Sequence, residues 1–404
     1  MAPTHTDLLI AGAGIAGLGL AHALKRRLGA LARVTVCDPA LAKPATGGRT
    51  DLRAIALAPD MRAWLETEGL WTGLAAAAQP IARMDITDSR LGAQPNPTYL
   101  SFAAEPAGAL AHMVFTSDLR ALLREACQKA GVRFEAAALG TLAVEPHGMT
   151  ASASDGRAWR ARLVVAADGG RSRLRHAAGL QTVDQDYGQC GIVATLNHAE
   201  PHEGRAVQHF LPGGPLALLP LRAEDGTGRR TSLVWTERTG EATRLAALPA
   251  PNFLAEFESR AGVSLGTLRL EDQPRALPLR LTLARRLTSG RFALVGDAAR
   301  VIHPLAGQGL NLGLRDAAAL SAAVAETMEL GLDPGSAAVL QDYARARSFD
   351  AAAMAAMTHG LNRLFSNDRF PLRTLRDIGL GLVDRAPAAK RLFIGGATGL
   401  RAAS

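Results

Sequence analysis

Near its N-terminus the chain reads Asp7-Leu-Leu-Ile-Ala-Gly-Ala-Gly-Ile-Ala-Gly17, an apolar run that leads into three spaced glycines. Residues 7–11 predict a buried parallel strand, and residues 15–28 predict a helix because their apolar residues recur near helical spacing. A second strand is expected at 33–37, and Asp38 follows it directly. This order of strand, glycine turn, helix, strand and acid predicts a dinucleotide-binding unit, in which Asp38 accepts hydrogen bonds from a ribose.

The glycine turn predicts where the phosphates of a dinucleotide bind. Gly12 allows the tight turn, Gly14 lets the backbone approach the pyrophosphate, and Gly17 lets the helix pack on the strand. The helix N-terminus, at Ile15 and Ala16, supplies backbone N–H groups for the phosphate charge. We therefore expect all five residues to lie at the cofactor site.

Two later segments place an acid directly after a predicted buried strand. Asp168 follows a strand at 162–167, and Gly296-Asp297 follows a strand that begins at Arg291. Ligands bind at the carboxyl ends of strands in such sheets, so both acids are candidate cofactor contacts. A proline and a glycine-rich loop then lead into a long helix that runs from Leu310 to about residue 330. The candidates in this loop are Pro304, Gly307, Gln308, Gly309, Leu310 and Asn311.

Strand-like alternation between the nucleotide-binding segments predicts a second lobe. It occurs in 81–103 and again in 188–236, with Gly/Pro-rich turns, which is typical of an antiparallel sheet. The predicted fold class is α/β, with a Rossmann-type cofactor domain interrupted twice by a mostly antiparallel substrate domain and followed by C-terminal helices. The expected boundaries are 1–75, 110–180 and 276–335 for the cofactor domain, 76–109 and 181–275 for the sheet domain, and 336–404 for the helical region.

Composition limits the classes of function. The chain has 404 residues, of which 48% are hydrophobic and 20% charged, as expected for a folded protein. Its net charge of +8 is not accompanied by a basic run interleaved with aromatics, so no nucleic-acid partner is expected. Cys37, Cys127 and Cys190 form no metal-type spacing or disulfide framework, which fits a reducing cytoplasm. We expect no signal peptide and no membrane-spanning segment.

Together with Arg53-Ala-Ile-Ala-Leu and Tyr187-Gly-Gln-Cys-Gly-Ile-Val-Ala, these segments resemble the flavin-dependent aromatic hydroxylases of the p-hydroxybenzoate hydroxylase fold. Among these they resemble the ubiquinone-biosynthesis hydroxylases. The resemblance implies FAD as cofactor and NADH or NADPH as reductant. It places Arg53 beside the flavin, Arg120 near the pyrophosphate, and Asp168 at both FAD and NAD(P)H. The remaining implied contacts are Asp297 with the ribitol chain and Pro304 and residues 307–311 along the isoalloxazine.

The chemistry that the resemblance implies belongs to the cofactor. Dioxygen and reduced flavin give a C4a-hydroperoxide that hydroxylates the ring of a polyprenylated phenol or quinol precursor of ubiquinone. We assign no catalytic acid–base residue and no metal. Tyr187 and His209 are polar candidates for substrate contact in the sheet lobe. Arg300 stands where many relatives have His, which leaves the local contacts near the flavin open.

An apolar prenyl tail implies peripheral contact with the cytoplasmic face of the inner membrane, and other ubiquinone-biosynthesis proteins are expected partners. The basic segment 361–393 is interpreted either as an interfacial helix or as a packed helix with a solvated basic face. Three alternative functions stay open. They are hydroxylation of a small soluble aromatic, reduction of a prenyl chain, and a non-catalytic flavin-binding scaffold.

Overall fold

The computed structural model of the protein describes residues 2–42, 53–88, 98–104, 108–262, 265–302 and 308–347. Among the predicted site residues, Pro304 and Gly307 lie outside this part of the chain, as does the basic segment 361–393. The described residues form two lobes, with a smaller sheet between them.

The first lobe is built on a six-stranded sheet that is parallel except at one edge. Its strands, in spatial order, are β20 (Thr288–Ser289), β21 (Phe292–Leu294), β13 (Leu163–Ala166), β2 (Leu8–Ala11), β3 (Val34–Cys37) and β9 (Arg133–Glu135). Every residue of β2, β3, β13 and β21 is buried, as expected for a parallel sheet covered on both faces. These strands confirm the predicted nucleotide-binding core.

Helices pack on this sheet or on one another around it. They are α1 (Ile15–Leu28), α2 (Pro59–Thr67), α3 (Trp71–Ala75), α4 (Thr116–Lys129), α5 (Arg173–Ala177) and α8 (Gln308–Glu329), and residues 337–347 are also helical. The predicted helix over 58–71 ends early, because Gly69 adopts a φ of 73° and turns the chain before α3. The bounds predicted for α1 are confirmed, and α8 begins two residues earlier than expected.

The second lobe is a nine-stranded sheet, antiparallel except where β15 lies beside β6. In spatial order it contains β22 (Arg300–Val301), β19 (Arg275–Ala284), β14 (Thr182–His198), β17 (Arg230–Arg238), β16 (Gly214–Leu221), β15 (Arg205–Leu211), β6 (Arg83–Asp88) and β7 (Thr98–Ala103), and β18 (Leu268–Leu270) pairs with β14. The chain enters this sheet at β6 and β7, again from β14 to β19, and a third time at β22, after β20 and β21 of the first lobe. The sheet continues through β19 and β22, past the expected boundary at residue 275.

Strand β14 is longer than the run at 191–196 that alternation predicts. Its first half is mostly exposed, so it carries no alternating apolar signal. Pairing with β19 shifts register between Asp186 and Cys190, and Gly188 has a φ of 64° within this bulge. The bulge lets one strand extend from the substrate lobe toward the cofactor lobe.

The two faces of the large sheet have different neighbours. Helices α6 (Thr239–Ala246) and α7 (Ala250–Ala261) cover one face and share an apolar core with it, which includes Trp235, Phe253 and Phe257. Successive side chains of a strand alternate between faces, so the intervening residues point toward the first lobe. A cavity lies on that side.

Two small sheets complete the described architecture. One contains β4 (Ala54–Leu57), β8 (Ala111–Phe115) and β5 (Gln79–Ile81); the other contains β1 (Thr4–His5), β12 (Ala158–Ala161), β11 (Gly148–Ala153) and β10 (Leu139–Glu145). Ile81, Met113 and Phe115 of the three-stranded sheet pack with Ala206 and Leu221 of the large sheet, which joins the lobes. Within the described chain, no helix is both long and apolar enough to cross a membrane.

Candidate cofactor and substrate site

The three glycines of the turn after β2 have different roles, since two are required by close packing and one borders open space. A Cβ on Gly12, whose φ is 110°, would lie 2.2 Å from the Ala167 carbonyl oxygen, and one on Gly17 would lie 2.2 Å from the Gly12 carbonyl oxygen. A Cβ on Gly14 would meet no protein atom within 4 Å, and Gly14 lines the cavity. Gly12 and Gly17 are therefore required by the fold, whereas Gly14 keeps open a space that a ligand can fill.

The N-terminus of α1 points its first turn at this space. Gly14 is the N-cap and supplies no side-chain hydrogen bond, and the first turn contains no acidic residue. Ile15 and Ala16 also line the cavity. Backbone N–H groups at an uncapped helix start carry partial positive charge, which suits a pyrophosphate.

Two of the predicted acids hold the turns around the cavity. The Asp38 carboxylate accepts hydrogen bonds from the backbone N–H of Ala13 and of Ala40, each at 2.7 Å. The Asp168 carboxylate accepts one from Arg173 N–H at 3.0 Å, at the start of α5. Neither carboxylate lines the cavity, so their cofactor contacts remain predictions.

The cavity measures about 620 Å³ and extends from the glycine turn to the face of the large sheet. Nine predicted cofactor residues line it, and the structure thus brings together segments that lie far apart in sequence. They are Gly14, Ile15, Ala16, Arg53, Arg120, Gly296, Asp297, Gly309 and Leu310. Arg53 and Arg120 add positive charge to this lining, and arginine side chains suit phosphate and other anionic groups.

Asp297 projects into this cavity from the turn after β21. Its side chain is exposed to the cavity space while protein surrounds it on the other sides. Burial raises the pKa of Asp297, and the positive charge of Arg53 partly opposes that shift. A carboxylate in this position can accept hydrogen bonds from hydroxyl groups of a bound cofactor.

The Asn311 side chain forms hydrogen bonds within the protein. Its side-chain oxygen accepts a hydrogen bond from Ala58 N–H at 2.9 Å, and its side-chain nitrogen donates one to the Ala56 carbonyl at 2.8 Å. The residue is fully buried, so its amide fixes the start of α8 to β4 rather than facing the cavity. Gln308 is also buried at this helix start.

Arg300 is buried close to the turn at Gly296. Its guanidinium lies 2.9 Å from the Asp316 carboxylate, which Arg347 also contacts at 2.9 Å. The other oxygen of Asp316 accepts a hydrogen bond from Gly296 N–H at 3.0 Å. Arg300, at a position where many relatives have His, therefore supports the turn at Gly296 through Asp316.

The two candidate substrate residues do not line the cavity. Tyr187 packs beside Leu281, Ile302 and Leu312, next to the cavity wall at Ile302. His209 is 1% exposed and its Nδ1 is hydrogen-bonded to the Thr87 hydroxyl, on the sheet face opposite the cavity. Side chains of neighbouring residues on β15 point to opposite faces of the sheet, so a shift of one residue determines whether a side chain faces the cavity. The neighbouring Gln208 lines the cavity.

We expect the stability of the protein to depend on pH because His209 is buried. Burial lowers the pKa of His209 from 6.5 to about 4, so the unfolded chain binds a proton there that the folded protein does not. The free energy of unfolding therefore falls by up to about 3 kcal/mol, on account of His209, as the pH drops from about 6.5 to about 4. Urea unfolding across this range should show a flatter profile for His209→Gln than for the parent, whereas exposed His5→Gln should change nothing. Equal slopes for the parent and His209→Gln would contradict this assignment.

The floor of the cavity was missed at the sequence level. It is formed by side chains of the large sheet, mainly small or apolar, that come from strands remote in sequence. These are Met84, Val193, Gln208, Ala217, Leu219, Ser232 and Val234, together with the backbone at Gly191. Alternation in the sequence indicates which residues of one strand share a face of the sheet. Only the order and register of the strands show which residues of different strands lie side by side on the cavity face.

The fold and the site define a flavoprotein of the aromatic-hydroxylase type, with a dinucleotide site that opens onto a sheet-walled cavity. The open space at Gly14, the uncapped start of α1 and the arginines fit FAD. The chain matches the FAD binding domain family over residues 5–358. It is 42% identical over 397 residues to the ubiquinone hydroxylase UbiL of Rhodospirillum rubrum, covering 97% of this chain and 89% of that protein. The chain belongs to this family of FAD-binding hydroxylases and is an FAD-dependent monooxygenase.

Other similarities agree with this placement. The mitochondrial ubiquinone biosynthesis monooxygenase COQ6 of Drosophila melanogaster is 29% identical over 437 residues, covering 98% of this chain and 90% of that protein. The crystal structure of the p-nitrophenol 4-monooxygenase PnpA from Pseudomonas putida superimposes with a TM-score of 0.78. It is 19% identical and covers 99% of this chain and all of that one, so it supports the fold alone.

Proposed function

We propose that the protein hydroxylates the aromatic ring of a polyprenylated phenol or quinol precursor in ubiquinone biosynthesis, with FAD, dioxygen and NADH or NADPH. The observation that supports this most is a continuous cavity that joins the cofactor side to an apolar floor on the large sheet. The relatives named as ubiquinone hydroxylases support the same substrate class.

FAD, when bound, accepts electrons from the reductant and activates dioxygen. The chain would bind its pyrophosphate at Gly14 and the start of α1, with Arg120 nearby. Arg53 and Asp297 would lie along the remainder of the cofactor, and Gly309 and Leu310 at the flavin end. Because the helix dipole of α8 begins at Gln308, its N-terminus favours negative charge on a reduced flavin.

The large sheet would hold the ring and exclude water. The row Ala217, Val234 and Val193 lies side by side on three adjacent strands, so a flat apolar surface faces the cofactor side. Removal of water protects a reactive oxygenating species and keeps the ring close. In this proposal the first lobe binds the cofactor and the large sheet binds the substrate.

The exposed part of the cavity lining on β19 supports peripheral contact with a membrane. On β19, Leu277 and Pro278 are exposed, and Arg275 and Arg280 flank them. Apolar side chains between arginines suit a surface of anionic lipids, from which an apolar tail could enter. A basic protein with a net charge of +8 is consistent with this arrangement.

Complementation tests this function directly. The gene is introduced into bacterial strains that each lack one ring-hydroxylation step of ubiquinone synthesis, and lipid extracts are read by mass spectrometry. Restored ubiquinone in one strain is expected and identifies the ring carbon, and Gly14→Val should not restore it. Failure in every strain despite FAD-loaded protein would contradict the proposal. It would favour hydroxylation of a small aromatic, prenyl-chain reduction without oxygen uptake, or a scaffold.

A further inference from the structure

The cavity floor carries two polar side chains whose hydrogen-bonding capacity is unused by the described protein. Gln208 lies on β15 and Ser232 on β17, and both line the cavity. Neither side chain has a hydrogen bond to any described residue. Polar groups in a largely apolar wall fix the orientation of a ligand, so these two need an explanation.

Sheet register places Gln208 and Ser232 on the same face. Gln208 pairs with Ala217, and Ala217 pairs with Val234, which is two residues from Ser232 on the same strand. Two strand spacings and one two-residue step therefore separate their Cα atoms, roughly 12 Å in all. A single aromatic ring with an oxygen substituent on either side can bridge such a gap through two hydrogen bonds.

The charges around the floor argue against a carboxylate on that ring. Arg53 and Arg120 belong to the cofactor side. Arg275 and Arg280 lie on the β19 edge, the first with Asp272 close enough for its charge to affect that carboxyl and the second 3.6 Å from Asp186. The central rows present no charged side chain among the described residues. A carboxylate placed there would lose its hydration without gaining a paired cation.

We propose that Gln208 and Ser232 are the positioning residues for the ring, and that they select rings whose polar substituents are hydroxyl, carbonyl or methoxy rather than carboxylate. An amide both donates and accepts, so Gln208 can bond a phenol or a carbonyl oxygen, and the Ser232 hydroxyl can do the same. This inference rests on the proposed function and assigns its ring specificity to two residues.

The test uses the full-length, FAD-loaded protein and two probes with the same prenyl tail, a phenol and the corresponding ring that also bears a carboxyl group. Binding is read from the change in flavin absorbance, and coupling from hydroxylated product per NAD(P)H consumed. The phenol is expected to bind at least tenfold more tightly. Gln208→Leu and Ser232→Ala should each weaken phenol binding by roughly 3- to 10-fold, the value of one neutral hydrogen bond, and lower the coupling.

Matched variants distinguish positioning from general damage. Gln128→Leu, an exposed glutamine on α4, should change neither binding nor coupling. Gln208→Arg should gain affinity for the carboxylated ring and lose it for the phenol, a reversal that a purely structural role would not produce. Equal parent affinity for both probes, or unchanged binding in both Gln208→Leu and Ser232→Ala, would overturn the proposal while ring hydroxylation persists. If neither probe binds or reacts, the proposed function fails together with it.

Discussion

Replacing Asp316 with leucine is expected to destabilise the protein by about 3–5 kcal/mol, because it leaves two buried arginines without their shared carboxylate. Asp316 is fully buried, and the Arg300 and Arg347 guanidiniums each lie 2.9 Å from it. The same change also removes the acceptor for Gly296 N–H. Urea unfolding of the cofactor-free protein measures the loss.

Two comparison variants make this prediction specific. Arg300→Met should cost less than Asp316→Leu, because the Arg347–Asp316 pair remains. Asp342→Asn, which removes an exposed ion pair with Arg345, should change stability by less than about 1 kcal/mol. If Asp316→Leu were no more harmful than Asp342→Asn, the buried cluster would not be stabilising the turn.

Gly14→Val is expected to abolish FAD binding while leaving the fold intact. Gly14 has φ −78° and ψ 174°, an extended conformation that other residues adopt, and its Cβ would meet no protein atom within 4 Å. The added side chain would instead fill the space at the start of α1, where the backbone must approach the pyrophosphate. We expect at least a 100-fold weaker FAD affinity by fluorescence titration, with the melting temperature of the apoprotein close to the parent value.

Gly17→Val provides the opposite outcome from the same turn. Its Cβ would lie 2.2 Å from the Gly12 carbonyl oxygen, so the apoprotein itself should be destabilised. A Gly14→Val protein that binds FAD as tightly as the parent would show that the cofactor lies elsewhere. A Gly14→Val protein that unfolds like Gly17→Val would show that Gly14 serves the fold alone.

The cofactor half of the site could be predicted because its signals are local. A buried strand, a glycine turn and a helix are adjacent in sequence, so Gly12, Gly14 and Gly17 define the turn without knowledge of the tertiary structure. The structure nevertheless separates their roles, since only Gly14 faces the cavity. That distinction depends on Ala167, the residue that follows β13 and approaches Gly12 and Gly17.

The substrate half could not be predicted because it depends on strand register. The sequence predicts His209 as a polar substrate contact within a strand, yet the side chain that faces the cavity is that of its neighbour Gln208. The register of β15 against strands that are distant in sequence determines which of its side chains face α6 and α7 and which face the cavity. For the same reason Asn311 and Arg300 gained structural partners, on β4 and at Asp316, that no local pattern indicates.

Hydroxylation with labelled dioxygen tests the central claim most directly. FAD-loaded protein is incubated with NADH or NADPH, a prenylated phenol and isotopically labelled dioxygen, and the product is examined by mass spectrometry. One labelled oxygen atom on the ring, formed with consumption of the reductant, is the predicted result. Consumption of the reductant with an unlabelled or unchanged ring would contradict the account.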